Sequence, residues 1–414
     1  MMNPDTQMAP TSLSERYVSL DILRGFAILG ILIMNIQSYS MIEAAYINPA
    51  AYGDLTGLNK WIWILSHVLA EQKFLSIFSI LFGAGIVLFT ERIESRGRSA
   101  RSLHYRRTLW LLVIGLAHAY LLWHGDILVS YALCALVVYP FRKASPKTVV
   151  IVGLVLFSIS SFIYIMGGLS MTNWSPEMIE GLMMSWKPGP EKVAEELAAY
   201  GGSWLHQMTH RVPSSLNFQT FIFLIWTGWR AGGLMLLGMA LYKWGVLTAR
   251  RTRRFYLFLT SIGLGIGWPI VIVGVVSNFK AGWSLEYSMF LGSQYNYWGS
   301  LLVAMGYIGL VMMISKSMEQ KKILHPIAAV GRMALTQYLL QTLICTFLFY
   351  GHGVGLFGRA ERQSQILIVF AIWTVQLILS PIWLRHFRFG PAEWLWRSLT
   401  YLKRQPLRYS GTRG

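Results

Sequence analysis

Ser19-Leu20-Asp21-Ile22-Leu23-Arg24-Gly25-Phe26-Ala27-Ile28-Leu29-Gly30-Ile31-Leu32-Ile33-Met34-Asn35 begins an apolar run that extends to about residue 42. Crossing a bilayer as a helix takes about 20 mostly apolar residues, and this run supplies them with Asp21 and Arg24 near its start. Nine further runs of this kind follow, at 72–91, 106–123, 126–141, 148–168, 218–243, 254–277, 290–315, 327–350 and 363–385. The expected fold is an all-α polytopic membrane bundle of about ten crossing helices. Composition agrees: of 414 residues, 54% are hydrophobic and 13% charged. That is roughly half the charged share of a soluble globular chain, so a water-soluble enzyme is excluded. Cys134 and Cys345 each lie inside an apolar run, as small core residues do.

The net charge of +18 is set by short loops. Basic residues cluster at Arg92–Arg107, Arg142–Lys147, Lys243–Arg254, Lys316–Lys322 and along the tail from Arg385 to Arg408. The intervening loops are poor in Lys and Arg. This alternation follows the positive-inside rule and not a nucleic-acid footprint, so both termini are expected in the cytoplasm. The organisation reads as a cytoplasmic segment 1–18, a five-helix half 19–168, an external insert 169–217, a second five-helix half 218–389, and an interfacial helix with tail at 390–414. The first 15 residues are polar and expected to be mobile. The insert either caps the external mouth or lies on lipid. Gly390-Pro391-Ala392-Glu393-Trp394-Leu395-Trp396-Arg397 has helix-start chemistry and two Trp beside basic residues, which suits an anchoring helix on the leaflet.

Ionisable and amide side chains inside such runs are costly and mark cavities or partners. Asp21 and Arg24 at i, i+3 pair with each other or serve a site. Asn35 lies about 16 Å further along the helix and serves a site or joins helices. His67 and Glu71 at i, i+4 form either a carboxylate-held base or an external salt-bridged face. Lys73 enters the outer leaflet, where it can snorkel. His118 lies deep in the third run. After it come His124, a Gly125 turn and Asp126, placed to orient a His. Arg230 sits near mid-membrane with no Asp or Glu inside the apolar runs of the second half to balance it. Arg332 is expected to face headgroups. Gln337 and Gln341 share a helical face. No HExxH, CxxC, phosphate-loop or nucleophile-elbow motif is present, and no metal is expected.

Ser19 through Asn35, Lys73-Phe74 through Leu81-Phe82-Gly83-Ala84-Gly85, Gly125 through Leu128, Gly331 through Thr342 and Gly390 through Arg397 together resemble the YeiB family of bacterial inner-membrane proteins of unassigned function. The resemblance spans about residues 15–400. Gln337 stands where that family commonly has Asn, and it keeps the amide. More distantly, the first helix is similar to that of the transmembrane acyltransferases. Those enzymes carry an Arg early in the helix and a polar residue 11 positions later: a catalytic His in the glycan O-acetyltransferases, an Asn in the lysosomal enzyme that acetylates heparan sulfate. Arg24 and Asn35 match the second pattern. This resemblance implies a membrane acyltransferase that uses acyl-CoA, such as acetyl-CoA, as donor and binds no resident cofactor. The acceptor would be a periplasmic or lipid-linked hydroxyl or amine, on a glycan or a lipid. In that scheme His118 is the base, Asp126 its orienter and Asn35 the donor to the developing oxyanion. Arg24 and the basic loops meet the CoA phosphates, Arg230 holds an anionic part of a substrate, and His67, Glu71, Lys73, His124 and Gln337 line the site. The alternatives are a transporter of a small polar or anionic solute anchored on Arg230, and a non-catalytic lipid-binding protein. Partners are membrane lipids; a homodimer is allowed.

Overall fold

The computed structural model describes residues 17–316 and 322–409. The polar segment 1–15 and Lys321 lie outside them. The helices, in chain order, are α1 (Val18–Ser40), α2 (Glu43–Ile47), α3 (Gly57–Leu69), α4 (Lys73–Glu94), α5 (Ala100–Leu121), α6 (Leu128–Val138) and α7 (Pro146–Ser170). Then come α8 (Pro176–Trp186), α9 (Pro190–Gly201), α10 (Trp204–Asn217), α11 (Gly228–Lys243), α12 (Arg253–Lys280) and α13 (Gly292–Ile314). The last four are α14 (His325–Arg332), α15 (Ala334–Phe349), α16 (Arg362–His386) and α17 (Pro391–Tyr401). Polar caps start several of them: Ser145, Ser175, Ser203 and Thr252 each accept an N–H from the first turn of the helix that follows. Wide π turns at Phe218–Thr227 and Leu285–Leu291 lead into α11 and α13.

Every apolar run is helical, and the protein is an all-α polytopic bundle. Among the described residues, seven helical stretches are long and apolar enough to cross a membrane. The expected count of ten is therefore not met by length and composition, for three local reasons. α5 begins among arginines. α6 has 11 residues before it tightens into a 3-10 turn. The run at 327–350 breaks at Met333, leaving α15 with 16 residues. Cys134 and Cys345 are free and buried.

α1 runs through the centre and packs on α4, α14, α15 and α16, among others. Its crossing with α14 is set by glycines: a Cβ on Gly25 would strike the Ile327 carbonyl, and one on Gly331 the Asp21 carbonyl. Gly83 and Gly238 make the same kind of approach between α4 and α11. Because the obstacle is backbone, Gly331→Ala is expected to cost about 3 kcal/mol. Gly85→Ala, with open space around it, is expected to be neutral or slightly stabilising. Thermal melting in detergent separates the two.

The two sets of loops lie at opposite ends. At the basic end, Lys243 donates to the Ala144 carbonyl and Lys316 to those of Ala249 and Arg251. At the other end, Arg362 donates to the Pro49 and Asp54 carbonyls. The 169–217 insert caps that end through α9: Tyr200 packs on Tyr350 and Phe357, and its carbonyl accepts from the Gly351 N–H. α10 does not stop at residue 217 but continues as one rod, Trp204–Lys243. The tail helix α17 is docked on the bundle. Glu393 accepts from the Leu335 and Thr336 N–H groups and the Thr336 hydroxyl, capping α15, and the Trp396 indole donates to the Arg107 carbonyl.

Candidate functional site

Where α5 ends, Trp123, His124 and Gly125 turn the chain into α6. Asp126 uses one carboxylate oxygen to take the Val129 N–H at 2.8 Å, capping α6. Its other oxygen lies 2.8 Å from His118 Nδ1. A carboxylate only accepts, so Nδ1 carries a proton, and in the neutral imidazole Nε2 is then the acceptor. Nε2 lies 2.9 Å from Thr342 Oγ1, and Thr342 Oγ1 lies 2.7 Å from the Tyr39 hydroxyl. Asp126, His118, Thr342 and Tyr39 thus form one row across three helices and a turn, and none exceeds 2% exposure. With Nε2 as acceptor, the Thr342 hydroxyl points its proton at a base that a buried carboxylate orients. That is the arrangement of an activated nucleophile.

A cavity of about 300 Å³ runs from the basic end toward this row. Arg24, Arg92, Arg96, Arg107, Arg332 and Arg397 belong to its wall near the basic end. Further in, Ile28, Ile31, Phe78, Leu111 and Leu128 make it apolar. Tyr338 both lines the cavity and touches His118, with ring centroids 5.0 Å apart. Thr342 is one helical turn beyond Tyr338. Arg332 Nε and Nη2 are buried and lack a hydrogen-bond partner. Two buried guanidinium N–H groups without an acceptor are costly unless an anion meets them. Arg24 keeps the internal pair with Asp21, at 3.1 Å. Arg107 lies between the Phe89 and Trp396 rings, so α17 is part of the cavity wall and not only an anchor.

The other residues singled out in the sequence disperse. Asn35 is half-buried on α1 and forms no hydrogen bond to the row; Tyr39, one turn on, is the α1 residue that reaches it. His67 and Glu71 do not pair, because α3 ends at Leu69. His67 stacks on Trp63 at 4.8 Å, and Glu71 accepts from the Tyr46 hydroxyl at 3.2 Å. Lys73 does not snorkel: it is fully buried and donates to the His67 carbonyl and Asn296. Arg230 donates to Ser76, Ser300 and the Tyr297 carbonyl, between the Phe157 and Tyr297 rings. Both terminal nitrogens have protein partners, while Nε is buried without one. Gln337 joins Ser380 and Gln376, and Gln341 joins Gln376 and the Ile28 carbonyl. These amides tie α15 to α16 and α1. His124 faces away from the cavity, toward Tyr200 and Glu43.

Thr342, Tyr338 and Tyr39 carry no signal of their own in the sequence. A hydroxyl among apolar residues at helical spacing reads as packing until a distant His is brought to it.

A family model described as "Protein of unknown function (DUF418)" matches residues 241–403. "Uncharacterized protein YeiB" of Escherichia coli (strain K12) is 35% identical over 396 residues, covering 93% of this chain and 96% of that protein. "Uncharacterized protein YxaH" of Bacillus subtilis (strain 168) is 31% identical over 425 residues, covering 97% and 98%. An "Uncharacterized 39.9 kDa protein in amylase 3'region" of Bacillus acidopullulyticus is 28% identical over 400 residues, again covering 97% and 98%. Similarity that spans nearly the whole of each chain means that this protein belongs to the YeiB family of multi-pass bacterial membrane proteins of unassigned function.

Proposed function

We propose that the protein is a membrane acyltransferase that passes an acyl group from an acyl-CoA-type thioester to a hydroxyl or amine acceptor by way of Thr342. The observation that carries this reading is the buried Asp126–His118–Thr342 row next to the inner end of an arginine-walled apolar cavity. The donor's phosphates meet Arg24 and Arg332, and its uncharged arm lies along Ile28, Ile31 and Phe78. The Tyr338 ring turns aside to admit the thioester carbonyl, and its hydroxyl, which has no hydrogen-bond partner, donates to the developing oxyanion. This is the part the sequence had assigned to Asn35.

The Thr342 oxygen attacks the carbonyl carbon as His118 Nε2 takes its proton. The carbon–sulfur bond breaks, and the thiolate leaves with that proton. An acceptor hydroxyl or amine then attacks the acyl-Thr342 ester, giving its proton to His118, which returns it to the Thr342 oxygen. The acceptor arrives from the end capped by α9. By the positive-inside rule that end is external, the arginine mouth and both termini face the cytoplasm, and the membrane is the bacterial inner membrane. Detergent-purified protein incubated with carbonyl-labelled acetyl-CoA is expected to carry label on Thr342, located by peptide mass spectrometry. A nucleophilic amine should then chase the label off. Absence of label, or label on another residue, overturns the reading.

A further inference from the structure

At the end of the bundle capped by α9, four side chains from four separate segments converge: Glu43 of α2, His124 of the α5–α6 turn, Glu196 of α9 and His210 of α10. His124 Nε2 lies 3.5 Å and His210 Nε2 3.4 Å from Glu43 Oε1, and His210 Nε2 lies 3.7 Å from Glu196 Oε1. Each of the three Glu43, Glu196 and His210 offers a ligand atom within 4.8 Å of the others. We propose that these residues form a divalent transition-metal site of zinc type, with Glu43, Glu196 and His210 as ligands and His124, now near Glu43 alone, moving in as the fourth when the ion binds.

Two observations support it. The first is spacing. With metal–ligand distances of about 2.0–2.1 Å, tetrahedral geometry sets neighbouring ligand atoms about 3.3 Å apart, close to the three separations found. As hydrogen bonds the same separations are too long, and His210 Nε2 and Glu43 Oε1 are buried with no hydrogen-bond partner. Held at ion-pair separation and longer than a good hydrogen bond, these atoms leave room for a cation between them. The second is the outer support. His124 Nδ1 lies 3.0 Å from the Tyr200 hydroxyl, which leaves Nε2 free as a ligand when Nδ1 donates. Glu196 Oε1 accepts the Glu43 N–H at 2.9 Å. Two imidazoles and two carboxylates suit zinc among common divalent ions. The Glu43 side chain keeps 38% of its surface exposed, which leaves an entry path.

No spacing motif announces this set, which is assembled from four segments, and the proposal departs from the expectation of no metal. The proposal does not depend on the acyltransferase reading. Bound there, the ion clamps the 169–217 insert to α2 and to the turn that holds Asp126.

The test uses the full chain, purified without a polyhistidine tag, stripped with a chelator and titrated with Zn²⁺ alone. The expected result is one equivalent per chain by elemental analysis, with a rise in melting temperature. His210→Ala and Glu196→Gln should each weaken Zn²⁺ affinity by about 100-fold or more and abolish the melting shift. Glu43→Gln, which keeps shape, serves if the alanine variant fails to fold, and should lose affinity to the same extent. Absence of stoichiometric uptake by the parent chain, or uptake unchanged in Glu196→Gln and Glu43→Gln, overturns the proposal.

Discussion

Asp126→Asn is expected to lower acyl transfer by about 10⁴-fold while leaving the protein folded. The amide is nearly isosteric, and its oxygen can still take the Val129 N–H that caps α6. Its nitrogen must then donate to His118 Nδ1, across the 2.8 Å now spanned by a carboxylate contact. That reverses the imidazole tautomer and places a proton on Nε2. Nε2 then donates to Thr342 Oγ1 and can no longer accept from it, so the nucleophile is never activated. The loss should fall on kcat, with KM for the donor little changed, because no cavity-lining residue is altered. Melting should shift by no more than about 1 kcal/mol, since one buried hydrogen bond is exchanged for another. A variant that retains most of its turnover would show that His118 is a structural imidazole held between Asp126 and Thr342. Loss of folding without a kinetic readout is guarded against by Thr342→Ser, which keeps the hydroxyl and should keep substantial activity.

Arg332→Ala is expected to raise KM for acetyl-CoA by about 10–100-fold. A hydrogen bond to a charged group is worth about 1.5–3 kcal/mol when its partner is left unmet, and Arg332 offers two unpaired guanidinium nitrogens in the cavity wall. The substitution removes a cost from the empty protein, so the fold should be no less stable. An acetylated pantetheine that lacks the nucleotide phosphates never reaches this charge, and its KM should not change. That difference between donors is the decisive measurement. Equal weakening of both would mean that the variant has deformed the cavity; no weakening of either would place the phosphates elsewhere.

The part of the site carried by adjacent sequence was legible. His118 and Asp126 sit either side of one tight turn, so their meeting needs only a helix end and the Gly125 turn, both local features. Local logic also produced the failed pairing of His67 with Glu71. It assumed that the helix continued, but α3 ends at Leu69 and Gln72 takes a left-handed conformation at the entry to α4. Thr342 was not legible. It lies 224 residues from His118, and a lone hydroxyl on an apolar helix is cheap enough to need no explanation. The Glu43, His124, Glu196 and His210 cluster was equally hidden, since its members come from four segments whose convergence depends on how the insert folds back.

Hydropathy and loop charge alone determined that the chain is a helical membrane bundle, because lipid leaves the backbone no alternative to satisfying its own hydrogen bonds. They also determined which loops lie together at each end. Tertiary structure alone decided where the short helices break, that α17 also walls a cavity, and which polar groups face one another. Bilayer partitioning acts on each segment separately, so it is written in local composition. The meeting of side chains depends on helix rotation and crossing, set by close contacts such as Gly25 with Ile327 and Gly331 with Asp21, and those are properties of pairs far apart in the chain.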